Sequence, residues 1–532
     1  MKIFMDKTLP GVTTGLRAGL AAAAACIALL APLPAIAQMD PVSGGELTII
    51  NGSDINHWDP AITRNTFPGG PMDVLDAIYG FLVYVNDQAV VTGGMAESLT
   101  SADAVTWTLK LREGVTFSDG TAYDSDAVKY NWERMADPAT GAPSQPFVAG
   151  WVGGIEVVDP LTLTITLPNP NANFAAQIAE LAPFIASPTM LAAAATPTDI
   201  KPIGAGAFLL ESWDQGIAMS MVRNPDYWDQ PRPYLDRLKF AIIPETNSRI
   251  ATVVQGGASM MAGYPFQFGS NGDAPGVATL QIPIRGINRA YFNQTAGIFA
   301  DVRAREAFYA GVDRSRLMQA FTQLQDVSAP VSYFGTGSAF FDPAYTLPEY
   351  NPARAQALIS ELAAEGKPFD VSIVMTPNSD MKRLAGYVQQ VISAYDGATA
   401  DIVEVDQANL VDRCRQQLQF DICFEGGVLV SNAIEPNLSN LLRSTGNFNW
   451  GQYNSPAMDA ALTAAGSTVD PEAIKAALST IQKLVVEDLP FYIFGEQTRF
   501  LLLRDNVGGV VPSNGGILQK QYLFVCPEAC LE

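Results

Sequence analysis

In the second half of this 532-residue chain, apolar runs of strand length alternate with alanine-rich segments of helical period. The strands there are expected near 370–374, 401–405 and 492–494, with another earlier at 239–243, and the helices near 303–321, 352–365, 381–395, 456–465 and 471–487. Strand and helix in alternation build a parallel or mixed sheet covered by helices, because parallel neighbours need a crossover that can hold a helix. In the first half, Leu47 to Ile50 is a continuous apolar run, as in a buried strand, and Val74, Ile78 and Leu82 follow at helical spacing. Val105, Trp107, Leu109 and Leu111 alternate with polar residues, and 161–167 alternates again. Turn residues on both sides of Val115 to Phe117 predict a hairpin, after which Ser125 is placed to cap a helix whose inner face is Val128, Trp132 and Met135. The expected class is α/β.

The first 37 residues stand apart from that pattern. Lys2, Lys7 and Arg17 precede an apolar run from Ala18 to Leu30, which ends in Pro32, Pro34 and Ala35-Ile36-Ala37. A basic start, a short apolar middle and an A-x-A end describe a secretory signal peptide, with cleavage expected before Gln38. Cys26 lies within the run, which disfavours a lipid anchor there. No later stretch is apolar for long enough to span a bilayer, so a soluble, exported chain is expected.

Charge narrows the partners. Against 54 acidic residues stand 32 Lys and Arg, a net charge of −22. Nucleic acid and anionic membrane surfaces call for basic patches, so neither is expected. His57 is the one histidine in the sequence, which excludes metal sites built on several imidazoles. No metal or cofactor is expected. Beyond the leader the cysteines are Cys414, Cys423, Cys526 and Cys530. An even count in an oxidising compartment permits two disulfides, and proximity favours Cys414–Cys423 with Cys526–Cys530; free buried thiols are the other reading. Gly204 and Gly206 lack the third glycine of a dinucleotide loop, since position 209 is leucine, and read as a tight turn into a strand.

Three ordered stretches carry a resemblance. The first is Met95-Ala-Glu-Ser-Leu99, then Trp107-Thr-Leu-Lys-Leu-Arg-Glu-Gly-Val-Thr-Phe-Ser-Asp-Gly-Thr121, then Asp126-Ala-Val-Lys-Tyr130 and Arg134. The second runs from Pro202-Ile-Gly-Ala-Gly-Ala-Phe208 through Arg223-Asn-Pro-Asp-Tyr-Trp228 to Pro233-Tyr-Leu-Asp236 and Ile242-Ile-Pro-Glu245. The third is Asp301-Val-Arg-Ala-Arg-Glu-Ala-Phe308 to Val312-Asp-Arg314, with an echo over 447–459. Together they resemble the family 5 extracellular solute-binding proteins, the dipeptide, oligopeptide and nickel-type receptors of ABC importers.

That resemblance implies a two-lobed periplasmic binding protein fold (type II, cluster C). Lobe I would comprise 38–84, 203–285 and 497–532, extended by an additional subdomain over 85–202. Lobe II would be 286–496, with hinge strands near 283–288 and 494–498. It further implies a monomer that takes a small peptide or other small solute and hands it to permease subunits in the inner membrane. Peptide-binding members place a tryptophan and an aspartate in a second-lobe loop, the aspartate anchoring the peptide amino terminus. Here that region reads Phe420 to Pro436, and aligning on Phe420-Asp421 or on Glu435-Pro436 leaves neither residue in place. A non-peptide solute such as an oligosaccharide or opine is therefore a second expectation; a secreted hydrolase or a chemosensory receptor on the same fold are further ones. Candidate ligand contacts are Arg64, Asn65, Tyr264, Phe266 (with Phe268), Glu425, Asn432, Trp450 and Phe494. Among them Glu425 is an uncommon acid in an apolar stretch, suited to a cationic group, and Asn432 could substitute for the aspartate by hydrogen bonding.

Overall fold

The computed structural model describes residues 40–63, 70–86, 90–194, 200–263, 272, 274–323, 327, 329–336, 338, 340–425, 434–513 and 516–530. Among them, ten strands form one large mixed sheet: β1 (Glu46–Asn51), β2 (Phe208–Asp214), β3 (Ala218–Arg223), β4 (Arg237–Ile242), β5 (Met260–Gly263), β6 (Val277–Phe292), β7 (Phe369–Met375), β8 (Ala398–Glu404), β9 (Ile422–Phe424) and β10 (Phe491–Arg504). Their order is β8-β7-β9-β6-β10-β5-β1-β4-β3-β2. The β1–β4, β1–β5, β7–β8 and β7–β9 pairs are parallel, and β6, β10, β2 and β3 supply the antiparallel ones.

A separate four-stranded antiparallel sheet orders Ala96–Ser101, Thr106–Leu111, Thr162–Thr166 and Ile155–Asp159. Residues Thr106–Leu111 alternate exposed and buried at every position, the period-2 pattern expected for one covered face. Helix α1 (Pro71–Tyr79) is buried along its whole length, and α2 (Ser125–Ala136) turns Val128, Trp132 and Met135 inward.

Four local expectations change in detail. The hairpin expected around Val115–Phe117 is present but short: one antiparallel bridge, Thr116 to Ala122, is flanked by the Phe117 N–H to Thr121 carbonyl and Tyr123 N–H to Val115 carbonyl bonds, and the Asp119 carboxylate takes the Thr121 N–H at 3.0 Å within the turn. Asp124, not Ser125, caps α2, accepting from the Ala127 N–H at 2.9 Å. The helix expected over 303–321 is two, Val302–Gly311 and Arg314–Thr322, because Asp313 caps the second by accepting the Ser315 and Arg316 N–H groups. The strand expected at 492–494 extends to fourteen residues. The Gly204–Gly206 turn meets the end of α1: a Cβ on Gly206 would stand 2.5 Å from the Ile78 carbonyl carbon, so only glycine admits this approach.

Two large apolar cores result. One draws on Leu47 through Ile282 and returns at Leu501 to Leu523; the other runs from Ile287 to Phe494. The changeover falls on the neighbouring strands β6 and β10, whose antiparallel register shifts between Pro283 and Ile287 and again between Asn288 and Arg289. Register shifts of this kind bend and twist a strand pair. Away from these strands, the Ala172 N–H donates to the Gly466 carbonyl at 2.8 Å, a contact between segments belonging to different cores.

Disulfides join Cys414 to Cys423 and Cys526 to Cys530. The first ties the segment before β9 to β9 itself, within the second core. Closing a loop with a separation of nine residues restricts the unfolded chain by about 2–3 kcal/mol. Cys414→Ala/Cys423→Ala should therefore unfold at lower denaturant, with a loss of that size and a slope equal to or slightly above that of the wild type, measured by fluorescence-detected urea unfolding.

Candidate functional site

β6 enters the second core as Ile287-Asn288-Arg289-Ala290-Tyr291-Phe292. Arg289 is a charged residue on an otherwise buried strand, and its side chain is 1% exposed. Its partner follows from strand pairing. β6 and β9 run antiparallel with Tyr291 opposite Cys423, so two residues further along the same register bring Glu425 beside Arg289. The Nη2 to Oε2 distance is 3.6 Å, an ion pair slightly beyond hydrogen-bond reach.

Aromatic rings frame the pair. Arg289 Nη2 donates to the Tyr291 hydroxyl, and the guanidinium carbon lies 4.6 Å from that ring's centroid. Tyr291 in turn stacks on Trp450 at 5.3 Å. Tyr333 is 5% exposed and close enough for Arg289 to influence its ionisation. Burial pushes the Tyr291 hydroxyl up to about 12, the nearby arginine opposing it, and raises Tyr333 as well. Burial also raises the Glu425 carboxyl above the usual glutamate value, with Arg289 pulling it back.

Hydrogen-bond capacity is left over here. Among the described residues, Arg289 Nε and Nη1, Glu425 Oε2, the Tyr333 hydroxyl and Trp450 Nε1 are buried and bond to no protein atom. Such groups cost about 1–3 kcal/mol each when nothing satisfies them, so water or a bound group is expected to meet them. The Glu425 side chain, 17% exposed, is the solvent-facing side of the cluster.

Of the residues singled out in the sequence, the structure thus brings Glu425 and Trp450 together around Arg289. Phe494 is 2% exposed and packs on Phe321, Phe424 and Tyr492, so its ring is spent on the second core and offers a ligand no surface. Arg64, Asn65, Tyr264, Phe266, Phe268 and Asn432 lie outside the described residues. Arg289, Tyr291 and Tyr333 were not anticipated; the available signal was an arginine inside an apolar strand run.

Comparison with known proteins agrees with this architecture. The model for bacterial extracellular solute-binding proteins, family 5 (middle), matches residues 90–449. The chain is 26% identical over 479 residues to the glutathione-binding protein GsiB of Salmonella paratyphi A, covering 87% of this chain and 91% of that one. Among solved structures it resembles the ABC transporter substrate-binding protein CtaP of Listeria monocytogenes, with a TM-score of 0.78, 20% identity and coverage of 91% and 99%. The Escherichia coli murein tripeptide binding protein MppA is also similar, at a TM-score of 0.69 and 22% identity, with coverage of 92% and 100%. A mixed sheet shared by two cores agrees with the match to the family model over most of the chain, and that match places the chain in family 5 of the bacterial extracellular solute-binding proteins.

Proposed function

We propose that this protein is the periplasmic substrate-binding component of an ABC importer, capturing a peptide or peptide-sized solute between two lobes and delivering it to the permease. The observation that carries this reading is the polar cluster around Arg289, placed just past the point where β6 passes from one core to the other. A ligand held there that also reaches groups fixed to the first core would favour a closed arrangement; differential contact of that kind drives two-state closure.

In this reading lobe I is 38–84, 203–285 and 497–532 with its subdomain at 85–202, lobe II is 286–496, and bending occurs near 283–288 and 494–498. Glu425 and Trp450, with Arg289, form one wall. The segments carrying Arg64, Asn65, Tyr264, Phe266 and Asn432 are candidates for the remainder. Residues 1–37 act as the export signal, and the mature chain works as a monomer without catalytic activity. The names of GsiB and MppA favour a peptide as cargo over a sugar or opine.

Titration calorimetry with glutathione and a panel of short peptides, paired with small-angle scattering, tests this. One ligand per chain and a smaller radius of gyration on binding are expected. Hydrolysis of chromogenic glycosides or peptides, with no binding and no compaction, would overturn it.

A further inference from the structure

A pocket of about 280 Å³ opens beside the first core, and every residue that lines it lies outside 286–496. Three separated pieces of chain build it: residues 81–95 with Arg112, the β3–β4 connection at 227–232, and the closing segment at 519–522. At roughly 30 Å³ per water it holds about nine waters, room for a compact small molecule.

Two guanidinium groups face this space in a chain whose net charge is −22. Arg112 lies 4.3 Å over the Trp228 ring and donates through Nε to the Gly94 carbonyl at 2.7 Å. Arg232 lies 4.5 Å over the Tyr522 ring and donates through Nη2 to Asp229 at 2.6 Å. Each is thus held by one ring and one hydrogen bond. Among the described residues, no protein atom accepts from either Nη of Arg112 or from Nε and Nη1 of Arg232. Trp228 Nε1 is buried and has no protein partner either. Asp229 is the one carboxylate in the lining, so two cations stand against one anion.

A guanidinium already stacked on a ring loses little freedom when it binds, and its fork of donors matches two oxygens of a carboxylate or phosphate. A neutral molecule would leave the excess positive charge unmet, and a cation would be repelled by it. We propose that this pocket is a second ligand site, separate from the interlobe cleft, and that it takes a small oxyanion through Arg112 and Arg232, with Trp228 Nε1 as a further donor. The occupant would bridge three pieces of chain that meet late in sequence, so binding should stabilise the folded protein. This goes beyond the importer reading and does not rest on it.

Titration calorimetry with inorganic phosphate, succinate and citrate, each at an ionic strength matched with sodium chloride, tests the proposal. At least one probe is expected to bind with a Kd below about 1 mM and to raise the melting temperature further as its concentration passes that value. Arg112→Gln and Arg232→Gln should each weaken binding about 10-fold or more, the scale of one charge-assisted hydrogen bond. Arg232→Lys keeps the charge but loses the fork, and should weaken binding about 3-fold or more. Circular dichroism checks that each variant is folded; if Arg112→Gln is not, the two Arg232 variants carry the comparison. Phosphate bound over both carboxylates identifies a phosphate ligand, the reverse order a carboxylate, and either sustains the site. No binding of any probe by about 10 mM overturns it. So does binding unchanged in the arginine variants, or an equal loss in Arg316→Gln, whose side chain is 71% exposed on the surface of the second core. None of these outcomes decides whether cargo binds near Arg289.

Discussion

Lys520→Met should lower the free energy of unfolding by about 3–5 kcal/mol, the usual consequence of leaving buried carboxylates without their cation. Lys520 is 1% exposed and its ammonium lies 2.6 Å from Asp73 Oδ1 and 3.5 Å from Asp76 Oδ2, both on α1. Arg499 also faces Asp73, at 3.9 Å and so farther off than the lysine, and donates to the Gly516 carbonyl. Methionine keeps most of the apolar stem, which isolates the loss of charge from a loss of packing.

pH separates this mechanism from a packing defect. Burial, only partly countered by Lys520 and the Tyr84 hydroxyl, raises the Asp76 carboxyl to about 6. Its value is thus higher folded than unfolded, the folded state holds the extra proton between roughly pH 4 and 6, and stability falls as pH rises through that window, by about 3 kcal/mol for a shift of about two units. Asp76→Asn should flatten that decline. Lys520→Met removes a group that holds the carboxyl down, so the window moves upward and the variant's deficit should be larger at pH 7.5 than at pH 5. Urea midpoints at the two pH values measure both effects; a deficit independent of pH would point to packing instead.

A second large effect is expected at Arg134. It reaches from α2 to the segment 57–63, where its Nη1 and Nη2 bind both oxygens of Asp59, whose side chain is fully buried. Asp59 also accepts the Ala61 N–H at 3.0 Å, and the Thr63 hydroxyl donates to the His57 and Asp59 carbonyls. Arg134→Ala leaves the carboxylate buried without its cation, at a cost of about 3–5 kcal/mol. Adding Asp59→Asn should recover a large part of that loss, because the uncompensated charge disappears with it. Because Thr63 directly precedes Arg64 and Asn65, ligand affinity measured by calorimetry should weaken in Arg134→Ala and improve again in the double variant. Equal stability of Arg134→Ala and the double variant would contradict this account.

Much of the fold could be read locally. Asn351-Pro352, Ser455-Pro456 and Asp470-Pro471 announce helix starts, and the structure begins helices at those prolines. Alternation over Thr106–Leu111 announced a one-faced strand. β10 was seen only in part, because Glu496 and Arg499 interrupt its apolar pattern where it passes between the cores. The single helix expected over 303–321 concealed a boundary that Asp313 imposes by capping. Glu425 stood out as an acid in an apolar run, whereas Arg289 did not. Their adjacency depends on β6 pairing with β9, a contact between distant segments that no local period encodes.

The two cores differ in one respect that matters during biosynthesis. The second is a continuous stretch of chain, whereas the first takes its opening strand from Glu46–Asn51 and its closing apolar residues from Leu501 to Leu523. Chains fold as they emerge from the amino terminus. The earliest-made core must therefore wait for the last-made residues, leaving its apolar faces uncovered until synthesis is nearly complete, and the later-made core can finish ahead of it.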